Sequence, residues 1–202
     1  MQLILLGQIV GTAGELDALL APVFQLAAPS ISDVRTVSYW DGQDFLSEEG
    51  DPEFVHERSR YIFGKLSEAG LDTIFQQLGQ WPGTSVSANW KFFLMGGAVA
   101  AKSNDATAYV HRQATMISSI DLEWSATDST QVVAANQAWL NQFHQAMLPF
   151  TSNRCYQNFI DDSQSDFLQA YYGENLARLI EVKRKYDPKN VFRYPQSIPT
   201  GV

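Results

Sequence analysis

The chain is poor in the residues that build metal centres and disulfide frameworks, with one cysteine, Cys155, and three histidines in 202 residues. A single cysteine excludes an internal disulfide, and scattered histidines without close ligand spacing give no basis for a structural metal site. Positive charge is also scarce. Fourteen Lys and Arg stand against 22 Asp and Glu, a net charge of −8, and the only basic cluster is the short run Lys183-Arg184-Lys185. Phosphate binding needs a basic surface, so nucleic acid is excluded as a partner. Long apolar runs are missing too. The longest, MQLILLGQIV at the start, is too short to span a bilayer and has neither a basic flank nor an A-x-A cleavage site. No membrane partner or signal peptide is expected, and the chain as written reads as cytoplasmic. Finally, none of the portable catalytic signatures occurs: no G-x-G-x-x-G, P-loop, G-x-S-x-G or H-E-x-x-H.

Aromatics, by contrast, make up 12% of the chain, with five Trp and eight Tyr. That density fits either a heavily packed core or a pocket for a flat organic ligand. The length suits one domain able to bury roughly two thirds of its unfolded surface. Hydrophobic periodicity predicts a strand over Leu3–Val10, so the chain reads like a domain entered midway, and then a helix from about Glu15 to Leu26. Residues 27–58, dense in Pro, Ser, Asp and Gly, read as an irregular connection. A helix is expected over Ser67–Leu78, then strands at Ser87–Met95, Thr107–His111 and Met116–Trp124. A long helix over Ser129–Met147 carries Val132, Ala135, Trp139, Leu140, Phe143 and Met147 on one stripe. A short strand over Cys155–Ile160 and a terminal helix over Asn175–Tyr186, stopped by Asp187-Pro188, complete the order. Long helices after adjacent strands suggest the α+β class, an antiparallel β-sheet covered on one face by helices.

Five polar or reactive positions lie in or beside aromatic segments. In "YQNF", Tyr156 and Asn158 would share one face of a strand, a donor–acceptor pair suited to a heteroaromatic edge or a substrate hydroxyl, or simply an edge strand with a satisfied Tyr. His111 in "TAYVHRQ" is a candidate base or a structural hydrogen-bonding residue. Lys91 in "ANWKFFLM" would have a depressed pKa if buried, or would snorkel to the surface. Cys155 adjoins Arg154, which could favour the thiolate, with no adjacent His to make it a nucleophile.

The tail "YQNFIDD…FLQAYYGENLARLIEVKRKYDPKNVFRYPQSIP" resembles the C-terminal signature of the berberine bridge enzyme-like FAD-linked oxidases. There a Y-x-N-[YF]-x-D segment precedes Y-[YF]-G-x-N-x-x-R-L-x-x-[VI]-K-x-x-[YF]-D-P-x-x-[VL]-F. Upstream, "MGGAVA" and "DATAYVHRQ" resemble the family's G-G and T-A-[FY]-x-H-R segments. The resemblance implies FAD as cofactor and hydride transfer from sugars, alcohols or other secondary metabolites. It implies an N-terminal FAD-binding domain, absent from this chain, and a substrate domain built on an antiparallel sheet. It places Tyr156 and Asn158 near the isoalloxazine and the substrate, with Tyr156 orienting or deprotonating a hydroxyl and Lys91 and His111 as secondary contributors. Phe159 stands where sugar-oxidising relatives carry a tyrosine.

The expectation is thus a substrate-binding domain over 1–150 and a C-terminal berberine-like segment over 151–202, acting on a small organic substrate with a separate FAD-binding domain. The alternatives are a cofactor-free cyclase on the same scaffold, or a non-catalytic remnant that forms a homodimer through an exposed apolar sheet.

Overall fold

The computed structural model describes residues 2–47 and 54–201 and divides into two compact units, Met1–Pro52 and Glu53–Val202. In the first unit, helix α1 (Ala13–Leu26) begins in a capping box: Thr12 Oγ1 accepts from the Glu15 amide, and the Glu15 carboxylate accepts from the Thr12 amide at 2.7 Å. The strand expected over Leu3–Val10 is not formed, and Leu3 and Val10 are 89% and 100% exposed. A strand needs a neighbour for its backbone N–H and C=O groups, and the described residues of this unit include no other strand. The stretch read as irregular contains a second helix, α2 (Tyr39–Leu46), capped by Ser38. Residues 48–53 of that stretch lie outside the described residues.

The second unit is built on a three-stranded antiparallel sheet in the order β1-β3-β2, formed by β1 (Phe54–Ile62), β2 (Ser87–Leu94) and β3 (Met116–Trp124). The sequence gives β2 and β3 nearly to the residue. It misses β1, because "FVHERSRYI" places His56, Arg58 and Arg60 where alternation would call for apolar side chains. Those three turn toward helix α5 (Thr130–Met147) and find polar partners there: His56 with Gln137, Arg58 with Asn141, Arg60 with His144.

On the same face, Ile120 and Leu122 of β3 pack with Trp139, Leu140, Phe143 and Met147 of α5 and with Ile74 of α3 (Glu68–Leu78). Burying each such side chain contributes about 1.5–3 kcal/mol, so this layer is the main core. The expected α5 stripe holds at Trp139, Leu140, Phe143 and Met147 and departs from expectation at its N-terminal end. Ala135 is exposed while Asn136 is fully buried, its amide accepting from Trp81 Nε1 at 2.7 Å and donating to the Gly83 carbonyl at 2.8 Å. A buried amide is tolerated there because both ends are satisfied.

Two further expected strands are irregular. At Thr107–His111 the carbonyls of Asn104 and Thr107 accept from the Asn175 side chain instead of a ladder. At Cys155–Ile160 the chain turns, Phe159 N–H donating to the Tyr156 carbonyl at 3.0 Å.

Beyond a short helix α4 (Gly97–Ala100), the C-terminal part adds α6 (Phe167–Tyr172) and α7 (Leu176–Tyr186). Between them Gly173 has φ +47°, and a Cβ there would stand 1.6 Å from Arg154 Nη1, so "YYG" is required by the guanidinium lying against it. After α7 the Asp187 carboxylate accepts from the amides of Val191 and Phe192 at 2.7 and 3.1 Å and from Lys183 Nζ at 2.5 Å. This closes the "YDPKNVF" turn. Among the described residues no helix is long and apolar enough to cross a membrane.

Candidate active site

The sheet face away from α5 carries the candidate chemistry. Strand pairing sets four cross-strand rows upon it: Tyr61–Ile117–Phe93, Ser59–Ser119–Lys91, Glu57–Asp121–Asn89 and Val55–Glu123–Ser87. One end is aromatic. Tyr61 meets Tyr109 and Tyr156 edge-on, with centroids 6.3 and 6.4 Å away, and Tyr156 meets Phe159 at 5.2 Å. Phe159 continues to the half-exposed Phe93 at 5.8 Å. The adjoining rows are polar.

The "YQNF" turn is fixed to this face from β1: the Tyr156 amide donates to Ser59 Oγ at 3.0 Å, and the amide and carbonyl of Tyr61 pair with Arg154 and Ser152. Asn158 Nδ2 donates to Tyr156 Oη at 2.9 Å. The two residues are therefore brought into contact, by a turn rather than on one face of a strand.

Lys91 lies in the row next to the aromatic end. Its ammonium is 3.2 Å from Asp121 Oδ2 on the neighbouring strand, with 28% of the lysine side chain exposed and none of the aspartate's. Burial pushes the Asp121 carboxyl up to about 6, against the pull of Lys91. Its Oδ1 has no hydrogen-bond partner and is buried. Directly opposite on β1, Glu57 accepts a short hydrogen bond from Ser119. Neither Glu57 nor Asp121 was singled out from the sequence. The signal was present in "SSIDLEW", where Ser119, Asp121 and Glu123 alternate with Ile120, Leu122 and Trp124, giving a central strand one polar face.

His111 lies behind the aromatic end. It is 2% exposed, stacks on Tyr61 at 4.1 Å and donates from Nε2 to the Tyr171 carbonyl at 2.9 Å. Burial pulls its pKa down to about 4, so at neutral pH it is an uncharged tie between the sheet and α6, shut off from solvent. Cys155 is buried as well, and burial raises its thiol to about 11. Arg154 points to Glu174 and the Gln169 carbonyl, which excludes thiolate chemistry at neutral pH.

On the helix side, His56 Nε2 is 3.7 Å from Asp161 Oδ1, and Arg58 Nε donates to Asp161 Oδ2 at 2.7 Å. His56, Asp161 and Asp162 bring their ligand atoms within 4.8 Å of one another. The Arg58 guanidinium already fills the charge requirement of Asp161, so the group serves as an internal ion pair.

Comparison with known proteins shows what the chain is similar to. Residues 155–199 match the family described as "Berberine and berberine like". The chain is 33% identical over 199 residues to the uncharacterized FAD-linked oxidoreductase YvdP of Bacillus subtilis, covering 96% of this chain and 43% of that protein. Residues 155–199 thus carry the berberine and berberine-like segment, in a chain similar over most of its length to an FAD-linked oxidoreductase. A second Bacillus subtilis relative, the uncharacterized FAD-linked oxidoreductase YgaK, is 32% identical, with 96% of this chain and 42% of that protein covered. Among solved structures, Physcomitrella patens BBE-like 1 superposes with a TM-score of 0.79 at 24% identity, over 95% of this chain and 43% of that one. The fold is therefore that of the berberine bridge enzyme-like proteins, and the chain spans less than half the length of these relatives.

The cofactor named for the relatives can be tested against the described residues. The Phe93–Phe159–Tyr156 ledge is partly exposed, its rings inclined at 48° and 82° to one another, and the Asn158 amide borders it. That pairing of an aromatic surface with a hydrogen-bonding edge fits one side of a flavin ring.

Proposed function

We propose that this chain is the substrate-side and C-terminal part of an FAD-linked oxidoreductase that oxidises a hydroxyl group on a small organic molecule. The observation that carries the reading is the single sheet face on which the Tyr156–Asn158 pair, an aromatic ledge and the Lys91–Asp121 couple are gathered. Bound flavin supplies the hydride acceptor that no side chain can provide. Everything else falls to the chain. Tyr156 and Asn158 hold the ring edge or orient the hydroxyl, and the ledge excludes water from one side. Lys91 and Asp121 form a proton-accepting couple: as the substrate O–H gives its proton to Nζ, Nζ passes one of its own to Asp121. A carboxyl whose proton affinity sits near 6 can accept that proton near neutral pH. His111 supports the aromatic end from behind.

The test is the visible spectrum of the purified chain, alone and mixed with the N-terminal portion of a Bacillus relative, followed by anaerobic addition of candidate alcohols. Flavin bands that bleach with substrate are expected, and Lys91→Met and Tyr156→Phe should each slow the bleaching by about 100-fold. Absence of flavin bands from both samples would remove the redox reading.

A further inference from the structure

The tail beyond α7 ends in "YPQSIP", and Gln196 within it is 6% exposed. It closes a buried ring with two residues distant in sequence. The Asp161 amide donates to Tyr171 Oη at 3.3 Å, Tyr171 Oη donates to Gln196 Oε1 at 3.0 Å, and Gln196 Nε2 donates to the Asp161 carbonyl at 2.7 Å. All three members are at least nine-tenths buried. Each group in such a closed ring both gives and receives, so the bonds reinforce one another in a weakly screened interior. Asp161 is the hub. Its Oδ2 takes Arg58 of β1 and its Oδ1 takes Ser163. Burial alone would raise this carboxyl, but the nearby His56 imidazole, the hydrogen bonds from Ser163 and the charge and hydrogen bond of Arg58 hold it well below the ordinary carboxylate range. It stays ionised and committed to its partners.

Asp161 terminates the turn that begins at Tyr156. That turn has few anchors: the Tyr156 amide on Ser59, the Cys155 amide on the Ala170 carbonyl, and the Asp161 hub. Asn158 is exposed and bonded to Tyr156 Oη, so its placement depends on how firmly both ends of the turn are held. We propose that Gln196 is a positioning residue for the Tyr156–Asn158 pair, clamping Asp161 so that the C-terminal tail fixes the turn against β1. The inference rests on the functional reading only for the importance of the pair it positions; the clamp is measured without turnover.

The experiment is hydrogen exchange and side-chain amide NMR on the full chain. Gln196→Leu should speed exchange of the amides at 156–161 by about tenfold, the loss of one buried hydrogen bond, while β3 and α5 keep their protection. The Asn158 side-chain signals should move toward those of a free amide. Gln196→Glu keeps the acceptor for Tyr171 but loses the donor to Asp161. It should give the same local pattern, and it decides the matter if Gln196→Leu fails to fold. Unchanged exchange and unchanged Asn158 signals would overturn the proposal, as would a uniform rise across β3 and α5, which would mark Gln196 as a general stability residue. In a flavin-loaded complex, Gln196→Leu should lower kcat about tenfold at unchanged flavin content. Failure of the wild-type chain to take part in flavin chemistry would remove the functional reading but leave the exchange result to stand or fall alone.

Discussion

His111 offers the sharpest test of the packing around the aromatic end. Its imidazole has an ordinary value of 6.5 and is pulled to about 4 in the folded chain by burial. The unfolded chain therefore binds a proton here that the folded chain refuses. The stabilisation is fully present above pH 6.5 and is lost as pH falls toward 4. Between pH 7.5 and 5.0 that loss amounts to about 2 kcal/mol for this one group. His144, buried beside Arg60 and also pulled down to about 4, has the same sign. His56 opposes both, because the neighbouring Asp161 carboxylate raises its pKa and so stabilises the fold at low pH. The raised carboxyl of Asp121 opposes them as well. The overall pH profile is thus a partial cancellation, and the informative quantity is a difference. His111→Gln removes the titrating ring but keeps an amide donor able to face the Tyr171 carbonyl. At pH 7.5 it should cost about 1–3 kcal/mol from lost packing against Tyr61 and a poorer hydrogen bond. By pH 5.0 the gap to wild type should narrow by about 2 kcal/mol, or roughly 1 M in urea midpoint. A gap that stays constant across that range would refute the neutral buried imidazole.

Two more outcomes follow from the same structure. Gly173→Ala forces a methyl onto the Arg154 guanidinium at a backbone conformation favourable only to glycine. It should lower stability by about 2–4 kcal/mol, and adding Arg154→Ala should recover part of the loss. Strict additivity in thermal melts would show that the clash is not the cause. Lys91→Met deprives Asp121 of the cation beside it, so the Asp121 carboxyl should titrate above its wild-type value near 6 when followed by carbon-13 NMR. An unmoved titration would detach the two residues and weaken the proton-accepting couple.

How much was legible in the sequence depends on where each residue's partners come from. Helices α1, α3, α5 and α7 and strands β2 and β3 announce themselves because their signals are local: capping residues, apolar periodicity and a Pro stop. Strand β1 does not. Its inward side chains are His56, Arg58 and Arg60, and only the polar groups of α5 and the distant Asp161 make that face comfortable. The expected strands at 107–111 and 155–160 fail for the reverse reason, since Asn175 and Ser59 take over backbone groups that a ladder would have used. The pairing of Tyr156 with Asn158 was readable from their spacing, but the Lys91–Asp121 couple was not. It depends on strand register, which no single strand reveals.

By itself the sequence determined the helix-and-sheet composition, the net acidic charge, and kinship through the motif that starts at Tyr156. Each of these is written in composition or in neighbours a few positions apart. The tertiary structure decided which face of the sheet is polar, that Asp121 is buried beside Lys91, that His111 is a neutral tie, and that Gln196 reaches back to Asp161 and Tyr171. Those facts are contacts between residues far apart along the chain, where burial strips away water and leaves proton affinity and orientation to whichever groups the fold has brought together.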